Sequence, residues 1–183
     1  GAIIAFGGRV LDDSKPKYIN SPETVVYHKS HTLFALNIAK KSKSKRYILC
    51  EGYMDVIAMH EAGFDTAVCA CGTALTAEQA KLLSEYADEV VLSYDSDEAG
   101  QKATERSLGI MANTPMKVSV LSYQGAKDPD EFIKKYGRER FEMLLNGTAN
   151  PTEFQLKKAK AKYDLRSDDG RLSYIREAIG VKI

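Results

Sequence analysis

Residues 89–100 read Glu-Val-Val-Leu-Ser-Tyr-Asp-Ser-Asp-Glu-Ala-Gly. A short apolar run rich in β-branched residues gives way at Asp95 to two carboxylates at i and i+2, and the helical period that follows predicts a helix from Asp97 to about Asn113. Similar runs recur at 47–50, 66–70 and 118–121, each separated from the next by a stretch of helical spacing. Strands alternating with helices imply βαβ units, so the fold expected is α/β with a four-stranded parallel sheet and flanking helices. Met54, Ile57, Ala58 and Glu61 lead to a helix-ending Gly63, and Thr76 with Gln79 makes a capping-box signature opening a helix over 77–87.

Outside this centre the pattern changes. Before it, 3–6 and 9–11 flank Gly7-Gly8 like a bent or paired strand, 16–24 is turn-rich, and 33–40 predicts an amphipathic helix. Lys40-Lys41-Ser42-Lys43-Ser44-Lys45 has no period and reads as a solvated linker. After Asp130 the spacing of Phe132, Ile133 and Tyr136, then Phe141, Leu144 and Leu145, is helical to the end.

With 44% apolar and 28% charged residues in 183, the chain has the composition of a folded domain rather than of a disordered tail. Its formal charge of +1 excludes a uniformly basic coat for nucleic acid. That balance hides a strong polarity, since 1–50 carry +6, 51–131 carry −10 and 132–183 carry +5. No apolar run approaches the ~20 residues of a membrane helix, and a start of Gly-Ala-Ile-Ile suits an internal piece of a longer protein. Cys50, Cys69 and Cys71 lie in apolar surroundings without a CxxC pair, which suits a reducing compartment and excludes a zinc ribbon here.

Ligands of open parallel sheets bind beyond the carboxyl ends of the strands, and the acids fall there. Glu51 follows the first run, Asp95 and Asp97 the third, and Asp128 and Asp130 the fourth. In extended backbone i and i+2 face the same side, so each Asp pair can aim both carboxylates at one place. Two like charges ~4 Å apart repel by ~1 kcal/mol in bulk water and by ~4 kcal/mol at an effective dielectric of 20. A divalent cation reverses the sign, and oxygen-only donors point to Mg²⁺ or Mn²⁺. The competing reading makes each Asp an N-cap of the helix that follows it. It weakens for Glu51, Asp95 and Asp97 together, because Glu is a poor cap and one helix needs one cap. The turn at Gly72-Thr73 suits either tight chain reversal or backbone approach to a phosphate. His28 and His31 lack a third ligand and read as surface, His60 reads as structural, and Lys157 to Lys162 as a solvated helix face with a template contact as the alternative.

The order Glu51-Gly52, Gly72-Thr73 and Asp95-x-Asp97-x-x-Gly100 resembles the Toprim domain of topoisomerases, bacterial primases and some nucleases. Longer strings are more specific: Gly7-Gly8-Arg9-Val10-Leu11, the run from Pro16 to Thr24, Glu51-Gly52-Tyr53-Met54-Asp55-Val56 and Asp128-Pro129-Asp130 are similar to the bacterial replicative primase family, DnaG type. Ser96 departs from it, since Gly is expected there. The resemblance implies an enzyme of replication that lays short RNA primers on single-stranded DNA by two-metal nucleotidyl transfer. Glu51, Asp95 and Asp97 would be the principal metal ligands and catalytic residues, with Asp55, Asp128 and Asp130 completing the acidic site. Arg9, Lys17, Tyr18, Asn20 and Lys29 would hold nucleotide phosphates and template.

The division this implies is 1–44 as the remnant of an N-terminal basic subdomain, 45–127 as the Toprim domain and 128–183 as a C-terminal helical subdomain. Expected partners are single-stranded template, nucleoside triphosphates, the RNA primer product and the replicative helicase, in the bacterial cytoplasm and away from membranes. The zinc-binding domain, the first part of the polymerase core and the helicase-binding domain are expected to lie outside this chain, and because part of the surface that positions template and 3′-hydroxyl is then missing, the fragment alone should be nearly inactive. Alternatives are a Toprim nuclease or topoisomerase and a non-catalytic Toprim module that only binds nucleic acid. The run from Pro16 to Thr24 disfavours the first, and the full set of acids disfavours the second.

Overall fold

The computed structural model describes residues 2–12, 14–70, 72 and 74–181. The four apolar runs become β4 (Arg46–Cys50), β5 (Ala67–Ala70), β6 (Glu89–Ser93) and β7 (Lys117–Val120), all parallel, in the spatial order β5-β4-β6-β7. Strands of a sheet covered on both faces read as continuous apolar runs, which is why they stand out in the sequence. Between them lie α2 (Tyr53–Glu61), α3 (Ala77–Ser84) and α4 (Glu98–Met111). Right-handed crossovers decide where each helix goes. The step from β4 to β5 runs one way across the sheet and the steps to β6 and β7 the other, so α2 covers one face while α3 and α4 cover the opposite one. The core divides accordingly. Leu49, Val68, Val90 and Leu92 pack with Ala80 and Leu83 of α3 and with Leu108 and Met111 of α4. Ile48, Cys50, Cys69 and Val91 pack with Val56 and Met59 of α2 and with Phe132 and Phe141 further on.

Helix ends follow their sequence signals. Thr76 and Gln79 close a reciprocal capping box, and Gly63 takes the left-handed φ of 87° that stops α2. His60 binds the Ala67 carbonyl at 2.9 Å, a structural role. After β7 come α5 (Pro129–Asn146), broken at Gly137 where φ is 81°, α6 (Pro151–Lys162) and α7 (Asp168–Ile179). Of the lysines on α6, Lys158 pairs with Glu105 and Lys162 with Glu177, while Lys157 and Lys160 are exposed. Among the described residues no helix is long and apolar enough to cross a membrane.

Two local expectations are corrected. The helix expected over 33–40 shrinks to α1 (Leu36–Ala39), because β3 (Leu33–Phe34) adds antiparallel to β5 as a fifth strand at the edge. Ala35, at φ 63°, makes the turn between them. The paired strand expected around Gly7-Gly8 does form, but Gly7 and Gly8 lie inside it. β1 (Gly7–Arg9) pairs with β2 (Tyr18–Asn20), and neither 3–6 nor 9–11 is its partner. Cys71 and Thr73 lie outside the described residues, so the expectations for them and for the Gly72-Thr73 turn are left there.

Candidate active site

The direction of winding reverses beside β4, and at such a switch point the loops leaving neighbouring strands part to opposite faces and open a crevice. Glu51 leaves β4 towards α2, and Asp95 and Asp97 leave β6 towards α4. The acids therefore sit where this fold places ligands. Glu51 is exposed, with one carboxylate oxygen 3.4 Å from the Asp95 backbone nitrogen.

Each Asp is oriented by its own turn. Asp97 is the N-cap of α4, one oxygen accepting from the Gly100 amide at 2.8 Å, and Asp128 caps α5 by accepting from Glu131 at 2.7 Å. Asp55 accepts from the Gly52 amide at 3.0 Å. Capping and ligation are thus not exclusive, since a cap uses one lone pair and leaves the rest of the carboxylate facing the crevice. Gly100 is required because any Cβ there would run into the Asp95 carbonyl. Ser96 sits without strain in the slot where glycine was expected, and its hydroxyl donates to the Lys127 carbonyl at 3.1 Å, tying the β6 turn to the loop before α5.

The field of the cluster shows in its titration. Asp55 is pushed up to about 7, mainly by burial and against the Gly52 amide, with Asp95, Asp128 and Glu51 adding repulsion. Asp95 is pushed up to about 6 by burial and then by Glu51, Asp128 and Asp97, with Lys127 opposing. Asp130 is engaged by Lys134 at 2.6 Å. Among the described residues no three His, Cys, Asp or Glu side chains close into a cage for a metal ion. An open, oxygen-only, mutually repelling set still fits Mg²⁺ or Mn²⁺, which commonly takes one or two carboxylates and completes its shell with water and substrate phosphate.

The raised values predict a pH dependence. The folded chain holds protons on Asp55 and Asp95 that the unfolded chain releases near the ordinary value of 3.8, so metal-free stability falls as pH rises between there and about 7. Glu23, Asp12, Asp164 and Glu177 are shifted the other way, so the stability they add is lost only as pH falls below the ordinary carboxylate values of 3.8 and 4.5. Urea midpoints in EDTA should therefore be lower at pH 8 than at pH 5. Asp55→Asn, which keeps an acceptor for Gly52, should flatten the difference.

The basic residues are carried by two elements. Arg9, Tyr18 and Asn20 share the β1–β2 hairpin with Lys17 just before β2, and the Arg9 guanidinium lies 5.7 Å from the Tyr18 ring centroid. Tyr53 at the start of α2 donates to Asn20 Oδ1 at 2.8 Å, docking the hairpin beside the Glu51 turn. Lys29 belongs to a separate 3₁₀ turn fixed to α3 by Gln79. His28 meets Glu23 at 3.1 Å, as a surface pair. A cleft of about 500 Å³ is lined by Tyr18, Asn20, Glu51, Gly72 and, from α4, Arg106 and Ser107. Sequence reading missed Arg106 and Lys127. The signal available for Arg106 was that neither Lys102 nor Ile110, four residues away on either side, is acidic, so it has no helical partner.

Three family models match: a Toprim-like domain over 48–133, the N-terminal domain of the DNA primase catalytic core over 1–40, and the DnaB-helicase binding domain of primase over 152–181. The last corrects the expectation that no helicase-binding segment lies in this chain. It falls on α6 and α7, a polar helix pair that carries no distinctive motif. The DNA primase of Clostridium acetobutylicum is 42% identical over 97% of this chain, which spans 30% of that protein. The zinc-binding and RNA polymerase domains of Aquifex aeolicus primase superpose with a TM-score of 0.82 at 35% identity, over 98% of this chain and 44% of that one. The RNA polymerase domain of Mycobacterium tuberculosis primase DnaG, solved with a double-stranded DNA oligomer bearing a 6-nucleotide overhang, gives 0.80 at 32%, over 96% and 59%. With these matches running almost end to end and the acidic turns at the switch point of a Toprim sheet, the chain belongs to the bacterial DNA primase family of DnaG type and holds the Toprim-containing part of its catalytic core.

Proposed function

We propose that this chain contributes the acidic half of a primase active site, which joins ribonucleotides into short primers on single-stranded DNA. The observation that carries this reading is the gathering of Glu51, Asp55, Asp95, Asp97 and Asp128 at the switch point, where burial first and mutual repulsion after it raise Asp55 to about 7 and Asp95 to about 6. Glu51, Asp95 and Asp97 would hold Mg²⁺ or Mn²⁺, with Asp55 and Asp128 behind them and Asp130 at the rim. Such a cation supplies positive charge to the attacking 3′-hydroxyl and to the departing pyrophosphate. The caps at Asp97 and Asp128 keep their carboxylates oriented before substrate arrives. Arg9, Lys17, Tyr18 and Asn20 on the hairpin, with Lys29 on its own turn, are assigned to nucleotide phosphates and template. The helix pair α6–α7 is assigned to the replicative helicase. The divisions 1–44, 45–127 and 128–183 are kept as the working subdomains.

Substituting these 183 residues for the matching stretch of the Clostridium acetobutylicum primase tests the reading. The chimera should make primers on single-stranded DNA with Mg²⁺. The 183 residues alone should be nearly inactive, because much of the barrier is removed by positioning template and 3′-hydroxyl on surfaces they lack. A folded chimera that binds template but cuts it, or makes no primer, would overturn the proposal.

A further inference from the structure

We propose that Arg106 binds a nucleotide phosphate in the cleft behind Glu51, making α4 a second anchoring wall opposite the β1–β2 hairpin. The inference rests on the reading of the acidic crevice as a nucleotidyl-transfer site and extends it to a residue no motif marks.

Its first support is partnership. On α4, Lys102 meets Glu98 at 2.6 Å and Glu105 is paired with Lys158 from α6. Arg106 lies between these pairs, exposed, and among the described residues no carboxylate or other acceptor engages its guanidinium. The second is placement. Among the described residues Arg106 is the one cationic side chain lining the cleft of about 500 Å³, and Glu51 lines the same cleft from the end of β4. An anion entering beside a group of carboxylates is repelled unless a cation receives it, and guanidinium offers a planar fork matched to phosphate oxygens.

The third support is shape. The volume suits one nucleotide-sized ligand, and the walls combine the ring of Tyr18 with the amide of Asn20. Asn20 is held by Tyr53, and Tyr94 is held by a 3.0 Å hydrogen bond to Ser107, so both walls are fixed beforehand. A ligand there would set its phosphate against Arg106 while its other end reaches the Glu51 turn. The phosphate could belong to a free nucleoside triphosphate or to a nucleic acid strand, and the chemistry of recognition is the same for both.

The test compares the wild-type chain with Arg106→Ala and Arg106→Lys, using two probes with Mg²⁺: ATP by equilibrium dialysis and a fluorescent deoxythymidine 12-mer by anisotropy. Loss of one charge-assisted phosphate contact should weaken one probe about tenfold in Arg106→Ala and less in Arg106→Lys, which keeps charge but not the fork. Weakening of ATP alone identifies a triphosphate site, and weakening of the 12-mer alone a strand-phosphate site. Mn²⁺ titration should be unchanged in both variants, whereas Asp95→Ala should alter it. Equal affinities for both probes in Arg106→Ala, or no binding of either probe by the wild type, would overturn the proposal. An unaltered Mn²⁺ titration in Asp95→Ala would instead overturn the reading of the acidic crevice.

Discussion

Asp97→Asn, placed in the primase chimera, is expected to reduce primer synthesis by about two orders of magnitude or more while leaving the fold intact. Partners of metal ligands that never touch the ion typically account for 10- to 100-fold in affinity or activity, so a direct ligand should lie at or beyond the upper end of that range. The substitution separates the cap that Asp97 forms from the metal ligation proposed for it. The Asp97 side chain caps α4 through the Gly100 amide, and Asn caps as well as Asp. Only the charge is removed, and relief of repulsion against Asp95 should leave the metal-free protein equally or slightly more stable. Primer synthesis per folded molecule, with a thermal melt beside it, decides the matter. Unchanged specific activity with a lowered melting temperature would reduce Asp97 to a cap.

Phe141→Ala should cost about 3–5 kcal/mol of unfolding free energy, out of the 5–15 kcal/mol typical of a whole domain. Phe141 is fully buried, with ring centroids 4.9 Å from Phe64, 6.0 Å from Phe132 and 6.4 Å from Tyr123. It anchors the second part of α5 against the face of the sheet that also carries α2, and thereby steadies the turn bearing Asp128 and the helix bearing Asp55. Met143, two residues away and 58% exposed, provides the contrast, and its replacement by Ala should move stability by less than about 0.5 kcal/mol. Urea denaturation of the two variants separates an aromatic anchor from a surface helix.

The parts of the fold legible in the sequence are those whose signal is local. Buried parallel strands announce themselves as apolar runs, Thr76 and Gln79 as a cap, and Gly63 as a stop. β3 was not legible, because two residues at 33–34 become a strand only through pairing with Cys69 and Ala70. The partner of β1 was equally hidden, since nothing local to Gly7-Gly8 points to Tyr18–Asn20. The acids were legible as a group because three strand ends carry them. Asp97 and Asp128 are caps, yet a cap occupies one lone pair, so capping and the proposed ligation do not compete for the same carboxylate. Arg106 lay in the middle of a helix, where a single charge looks like solvated surface until the cleft beside it is seen.

Nucleotidyl transfer is proposed to depend on a cation held in the crevice between the ends of β4 and β6. Titration of Mn²⁺ into the wild-type chain and into Asp95→Ala, read by the electron paramagnetic resonance signal of the free ion, tests it most directly. The wild type should show a weak site, because substrate phosphate normally completes the coordination shell, and Asp95→Ala should lose it. Identical titration curves for the two proteins would contradict the account.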